Sequence, residues 1–116
     1  MPLSLPDPVI IAAPGTWVVR AGGAVIGESD NAVELVQPDA PGLIFLPRED
    51  LGMAFLERSD RVAATSGLGE ASYYDIVASS GVISDAAWSY ETPSEGAERL
   101  AGLIAFDPRR VAVEEV

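Results

Sequence analysis

Residues 72–88 read Ser72-Tyr73-Tyr74-Asp75-Ile76-Val77-Ala78, then Ser79-Ser80-Gly81, then Val82-Ile83-Ser84-Asp85-Ala86-Ala87-Trp88. Aromatic and β-branched side chains suit a pleated, half-buried surface, and the Ser-Ser-Gly step between the two runs reverses the chain. The stretch predicts a β-hairpin, the clearest in the chain. The same pattern recurs outward from it. Thr16-Trp17-Val18-Val19-Arg20 and Ala24-Val25-Ile26 flank Gly22-Gly23, a pair that accepts positive φ in a tight turn. Residues 32–36, the apolar run Leu43-Ile44-Phe45-Leu46, and residues 60–65, 103–106 and 111–113 each read as a further strand. Roughly eight or nine such segments at about ten-residue spacing predict a mainly β fold: one antiparallel domain, tent-like, rolled or barrel-like. One short helix is expected near residues 94–100, opened by Pro93-Ser94-Glu95 and stopped by Gly102. Pro47 suits the first position of a single helical turn over Arg48-Glu49-Asp50.

The chain has 116 residues and 48% apolar content, which suits one domain with one real core. Residues 1–14 carry Pro2, Pro6, Pro8 and Pro14 and are read as an extended arm; residues 15–116 are read as the β domain. The arm is expected to be dispensable for folding, with Val9-Ile10-Ile11 apolar enough to promote a homo-oligomer.

Seven basic against eighteen acidic residues leave a net charge of −11. That field repels phosphate backbones and anionic lipid, so neither nucleic acid nor a membrane is an expected partner. There is no Cys and no His, and the seven cations are Arg20, Arg48, Arg58, Arg61, Arg99, Arg109 and Arg110, with no Lys. Disulfides, thiolate nucleophiles, a Ser-His-Asp triad, a Schiff-base Lys and a P-loop Lys are all excluded. Zinc would have only carboxylates left, so no metal and no cofactor is expected. With no membrane span or basic, apolar leader, a cytoplasmic protein is expected.

Three constellations remain. Gly67-Leu68-Gly69 superficially matches a phosphate loop, but strand-like residues follow where a helix N-terminus is needed, and a plain turn is the better reading. Arg48-Glu49-Asp50 sets a fork-shaped cation beside two acids, which suits either an anion site or an internal ion pair at a strand end. Tyr73, Tyr74, Trp88 and Tyr90 supply rings that either wall a pocket or fill the core. In extended chain Trp88 and Tyr90 share a face, Ser89 takes the other, and Tyr73 and Tyr74 diverge.

The blocks Pro47-Arg48-Glu49-Asp50-Leu51 with Met53, Leu56-Glu57 and Ser59-Asp60, then Gly69-Glu70-Ala71-Ser72-Tyr73, Asp85-Ala86-Ala87-Trp88-Ser89-Tyr90 and Ala101-Gly102 through Ala105-Phe106, occur in this order. Over about residues 17–114 the chain resembles a widespread bacterial family, domain-of-unknown-function family number 427, which also carries a nucleotidyltransferase-like label. The resemblance implies a mainly β fold of the tent type, similar to methionine sulfoxide reductase B and to zinc-carrying guanine-exchange-factor-like proteins, and no established activity. The label itself finds no Gly-Ser pair with spaced Asp residues to hold two metals. Where the family usually has Cys-Pro-aromatic-Lys-Gly, this chain has Thr65-Ser66-Gly67-Leu68-Gly69. Either an activity resides in Arg48, Glu70, Trp88 and Tyr90, or this member is silent. The expected function is small-ligand binding, of an anion or metabolite, with room for weak enzymatic activity. Arg48, Asp50, Glu70, Tyr73, Trp88 and Tyr90 are the candidate ligand-binding residues. The alternative is an interaction or self-association module. On the binding reading Arg48 faces a pocket, and its replacement costs little stability.

Overall fold

The computed structural model describes residues 8–37, 40–65 and 67–116. Among them the chain forms β1 (Ile10–Ala12), β2 (Trp17–Ala21), β3 (Ala24–Ser29), β4 (Val33–Leu35), β5 (Leu43–Leu46), β6 (Leu56–Thr65), β7 (Gly69–Ala78), β8 (Gly81–Ser89), β9 (Ile104–Phe106) and β10 (Ala112–Glu115). A seven-stranded sheet runs β1-β4-β5-β9-β8-β7-β6 and a three-stranded one runs β10-β2-β3. All of these neighbours pair antiparallel, as expected. The barrel-like alternative is corrected: the large sheet ends at β1 and β6, so the sheets do not close. Of the expected arm, residues 1–7 lie outside the described residues. Ile10–Ala12 is an edge strand against β4, and Ala13 is buried. No helix among the described residues is long and apolar enough to cross a membrane.

Local chemistry explains the turns. Gly22 and Gly23 take φ of 57° and 76°, the left-handed pair that a two-residue hairpin loop needs. The Ser80 hydroxyl donates to Gly22 O at 2.8 Å and ties this tip to the β7–β8 tip. Gly67-Leu68 is a turn that feeds straight into β7, so no helix N-terminus follows to make a phosphate loop. The helix expected at residues 94–100 does not form. Gly96 sits at φ 91°, which breaks any right-handed run, and only a 3-10 turn at Glu98–Leu100 remains. The single turn at Arg48–Asp50 is present as a 3-10 turn.

The large sheet buries both faces. Tyr74, Ile76, Ala87, Leu46, Ile104 and Phe106 join Val19, Ala21 and Ile26 of the small sheet in one core. Phe45, Ala71, Tyr90, Leu100 and Ala105 form a second, with Tyr73 and Trp88 packed at its margin. The alternation expected for residues 73, 74, 88 and 90 is what sorts them. Each fully buried Phe or Leu contributes about 1.5–3 kcal/mol, so the two cores dominate the stability.

Arg48 links these layers. Its Nε donates to Gly102 O at 2.6 Å, Nη1 to the Tyr74 hydroxyl at 3.3 Å and Nη2 to the buried Ser89 hydroxyl at 3.0 Å; Nη2 also pairs with Glu91. Burial works against its charge, but the Tyr74 hydroxyl and Glu91 outweigh it and raise the guanidinium's pKa. Replacement of a cation so placed strands several polar partners, which reverses the small cost expected from sequence. Arg48→Gln should lower unfolding free energy by about 2 kcal/mol. Glu91→Gln should cost about 0.5 kcal/mol, because that ion pair is open to solvent. Urea unfolding of both variants checks the order; equal small losses would contradict it.

Candidate functional site

β9 stops at Phe106, and beyond it β5 and β8 are no longer bridged. A groove of about 800 Å³ opens there. It draws Tyr73, Trp88 and Leu43 from one face of the large sheet and Ile44 and Phe106 from the other, with Trp17 and Val113 from the small sheet. Both tryptophans of the chain therefore line it. Tyr73 and Trp88 are cross-strand partners whose rings sit 6.0 Å apart, tilted by 41°.

Two irregularities beside β7 bring charge to these rings. In β6, residues 59–61 lie opposite the single Tyr73, between the pairs Arg58↔Tyr74 and Val62↔Ser72. In β8, residues 84–86 lie opposite the single Asp75, between Tyr74↔Ala87 and Ile76↔Ile83. Such bulges re-aim side chains. The first lays Arg61 over the Tyr73 ring at 4.7 Å. The second holds Asp85 at φ 51°, the one non-glycine positive φ among the described residues. The Asp85 N–H donates to Asp75 Oδ1 at 2.8 Å, and Asp85 Oδ1 accepts from Ser59 at 2.6 Å. Ser59 also accepts the Arg61 N–H, so the two bulges brace each other.

A third element completes the groove. After β9 the chain turns through Asp107, whose carboxylate is nearly buried and accepts from Arg109 Nε at 3.3 Å and Arg110 Nε at 3.0 Å. Arg110 also donates to the carbonyl oxygens of Ser84 and Asp85, at 2.7 and 3.0 Å, and so clamps the β8 bulge. Arg110 is thereby spent. Arg61 and Arg109 are not: their side chains are 58% and 88% exposed, and Arg61 meets Asp85 only at 3.8 Å. Three guanidiniums and three carboxylates, from Glu34, Asp85 and Asp107, line the groove of a chain with net charge −11. It is a patch of local neutrality. Among the described residues no group of three or more acidic, His or Cys side chains is placed to hold a metal.

Of the residues singled out from sequence, Tyr73 and Trp88 line the groove. Arg48 lies on the opposite sheet face with Tyr74 and Ser89, and Asp50 accepts from the buried Ser29 at 2.7 Å. Glu70 is an exposed residue of β7 paired with Ala64. Tyr90 is a core ring 6.1 Å from Phe45; burial pushes its phenol pKa up despite the bond it donates to Thr65. Thr65 accepts from the Tyr90 hydroxyl, and Leu68 packs against the second core. Arg61, Asp85, Asp107, Arg109 and Arg110 were missed. The Asp-Pro turn before Arg109-Arg110 was the one available signal.

Asp107 gives the groove a pH dependence. Burial works to raise its carboxyl, but hydrogen bonds from Arg109 and Arg110 prevail and hold it below the ordinary 3.8. The folded state then binds its proton less readily than the unfolded chain. The resulting stability is complete above about pH 4 and is lost as pH falls through the depressed value. Asp107→Asn should melt lower at neutral pH and lose less stability on acidification. Identical acid limbs in thermal melts of the two proteins would contradict this.

No curated protein matches the chain. A family model described as a domain of unknown function (DUF427) matches residues 10–116, slightly more than the span the resemblance covered. That match takes in every strand of both sheets and the whole lining of the groove. The chain is a member of the DUF427 family.

Proposed function

We propose that the groove binds a small organic anion with a flat apolar body. The observation that carries this reading is Arg61, laid on the Tyr73 ring with most of its donors unspent. A guanidinium already held over a ring loses less entropy when a carboxylate docks on its fork. Trp88, Trp17 and Phe106 offer the apolar wall that such a ligand's body needs. Arg109 stands at the rim as a second cation.

The alternative, a self-association module, has less support at one edge of the large sheet. The outer strand β6 carries Glu57, Arg58, Asp60 and Arg61 together with a bulge, all of which discourage edge-to-edge pairing. Nucleic acid and anionic membranes remain poor partners at a net charge of −11.

Because both tryptophans line the groove, intrinsic fluorescence reports on it directly. Benzoate should change the emission saturably, with a Kd of about 1 mM or tighter. Arg61→Ala should abolish the change while leaving the melting temperature in place, since the side chain is largely exposed. A flat wild-type titration, or an Arg61→Ala titration that matches the wild type, would overturn the reading.

A further inference from the structure

We propose that Asp85 sets the charge selectivity of the groove, favouring singly charged carboxylates over doubly charged phosphates. The inference rests on the anion-binding reading and adds the class of ligand. Asp85 is fixed from several sides, its carboxylate by Ser59 and its backbone by Asp75 and Arg110. Ser59 donates to its Oδ1 at 2.6 Å, Asp75 accepts its N–H at 2.8 Å, and Arg110 grips the carbonyl oxygens of Ser84 and Asp85. It therefore cannot swing aside when a second negative charge approaches.

Its other oxygen faces Arg61 at 3.8 Å, too long for a hydrogen-bonded pair. Arg61 thus keeps its fork for a ligand, while a fixed negative charge stands beside the place where that ligand's head docks. Asp107 is already matched by Arg110, whose Nε lies 3.0 Å from its carboxylate. Arg61 and Arg109 against Asp85 leave a surplus of one positive charge at the head position, and Glu34, across the groove, brings the lining as a whole to neutrality. One ligand charge is balanced. A second meets Asp85 without compensation, at a range where Coulomb energy is appreciable.

The bulge makes the test clean. Asn adopts left-handed φ at least as readily as Asp, and its side-chain oxygen can still accept from Ser59. Asp85→Asn therefore removes the charge and keeps the shape. The probes are benzoate and phenyl phosphate, which share a ring and differ in the head; at about pH 7.5 the phosphate is doubly charged, its second pKa being about 6. Titrated by tryptophan fluorescence, the wild type should prefer benzoate. In Asp85→Asn, phenyl phosphate should tighten by about tenfold, and by clearly more than benzoate. A second arm needs no variant: lowering the pH to about 5 makes the phosphate singly charged, and its wild-type affinity should rise toward that of benzoate. If benzoate binds but the preference stays within about twofold in both arms, the role of Asp85 falls while the groove reading stands. If neither probe perturbs the wild type, the groove reading falls and this inference with it.

Discussion

Arg110 grips two carbonyl oxygens in the β8 bulge with one end of its guanidinium and the nearly buried Asp107 carboxylate with the other. The shape of the groove depends on that grip. β9 is only three residues long, so the corner after Phe106 has no sheet partner on its β5 side. Without a tie, the extra residues of β8 would have two carbonyl groups and a left-handed Asp85 to satisfy on their own. With it, the bulge is a fixed wall, and Asp85, Ser59 and Arg61 stand in a defined order along β7. A charged fork bound to a nearly buried carboxylate is a costly device when either half is removed. Its use here marks where the fold holds a definite backbone shape.

Six of the seven arginines divide by what their donors already touch. Arg48 and Arg110 are anchors, each held at all three nitrogens by carbonyl, hydroxyl or carboxylate oxygens of the chain. Arg58 donates to Ser72 across the β6–β7 pair, and Arg99 reaches the carbonyl of Ile10 in the edge strand. Arg61 and Arg109 keep capacity to spare in the groove lined by Tyr73 and Trp88. In a chain with no Lys and no His, every cationic task falls to the same side chain, and composition alone cannot sort anchors from binders.

Strands and hairpins were legible because their signals are local. Gly22-Gly23 and the Ser79-Ser80-Gly81 step carry their turns with them, and Leu43-Ile44-Phe45-Leu46 has the buried-strand composition that β5 fulfils. The expected helix failed where Gly96 offered a left-handed turn that a short, weakly nucleated helix could not compete with. Part of the groove's aromatic lining was legible: ring-bearing residues at alternating positions pointed to Tyr73 and Trp88. The rest was not. A bulge leaves no mark in the alternation of apolar and polar residues until its partner strand is known, so nothing local tied Arg61 or Asp85 to those rings. Arg48 drew notice for the right chemistry, but its partners Gly102, Tyr74 and Ser89 are distant in sequence, and only the topology gathers them.

The central claim is that, of the three arginines lining the groove, Arg61 and Arg109 are free to meet a ligand. It is tested most directly by following the arginine Nε–H signals of the isotopically labelled protein by NMR as benzoate is added. With seven arginines the spectrum is small enough to assign by single substitution. The account predicts that the Arg61 signal moves saturably, Arg109 less so, and Arg48 and Arg110 stay in place. Movement of Arg48 in preference to Arg61 would transfer the site to the opposite sheet face and contradict the account.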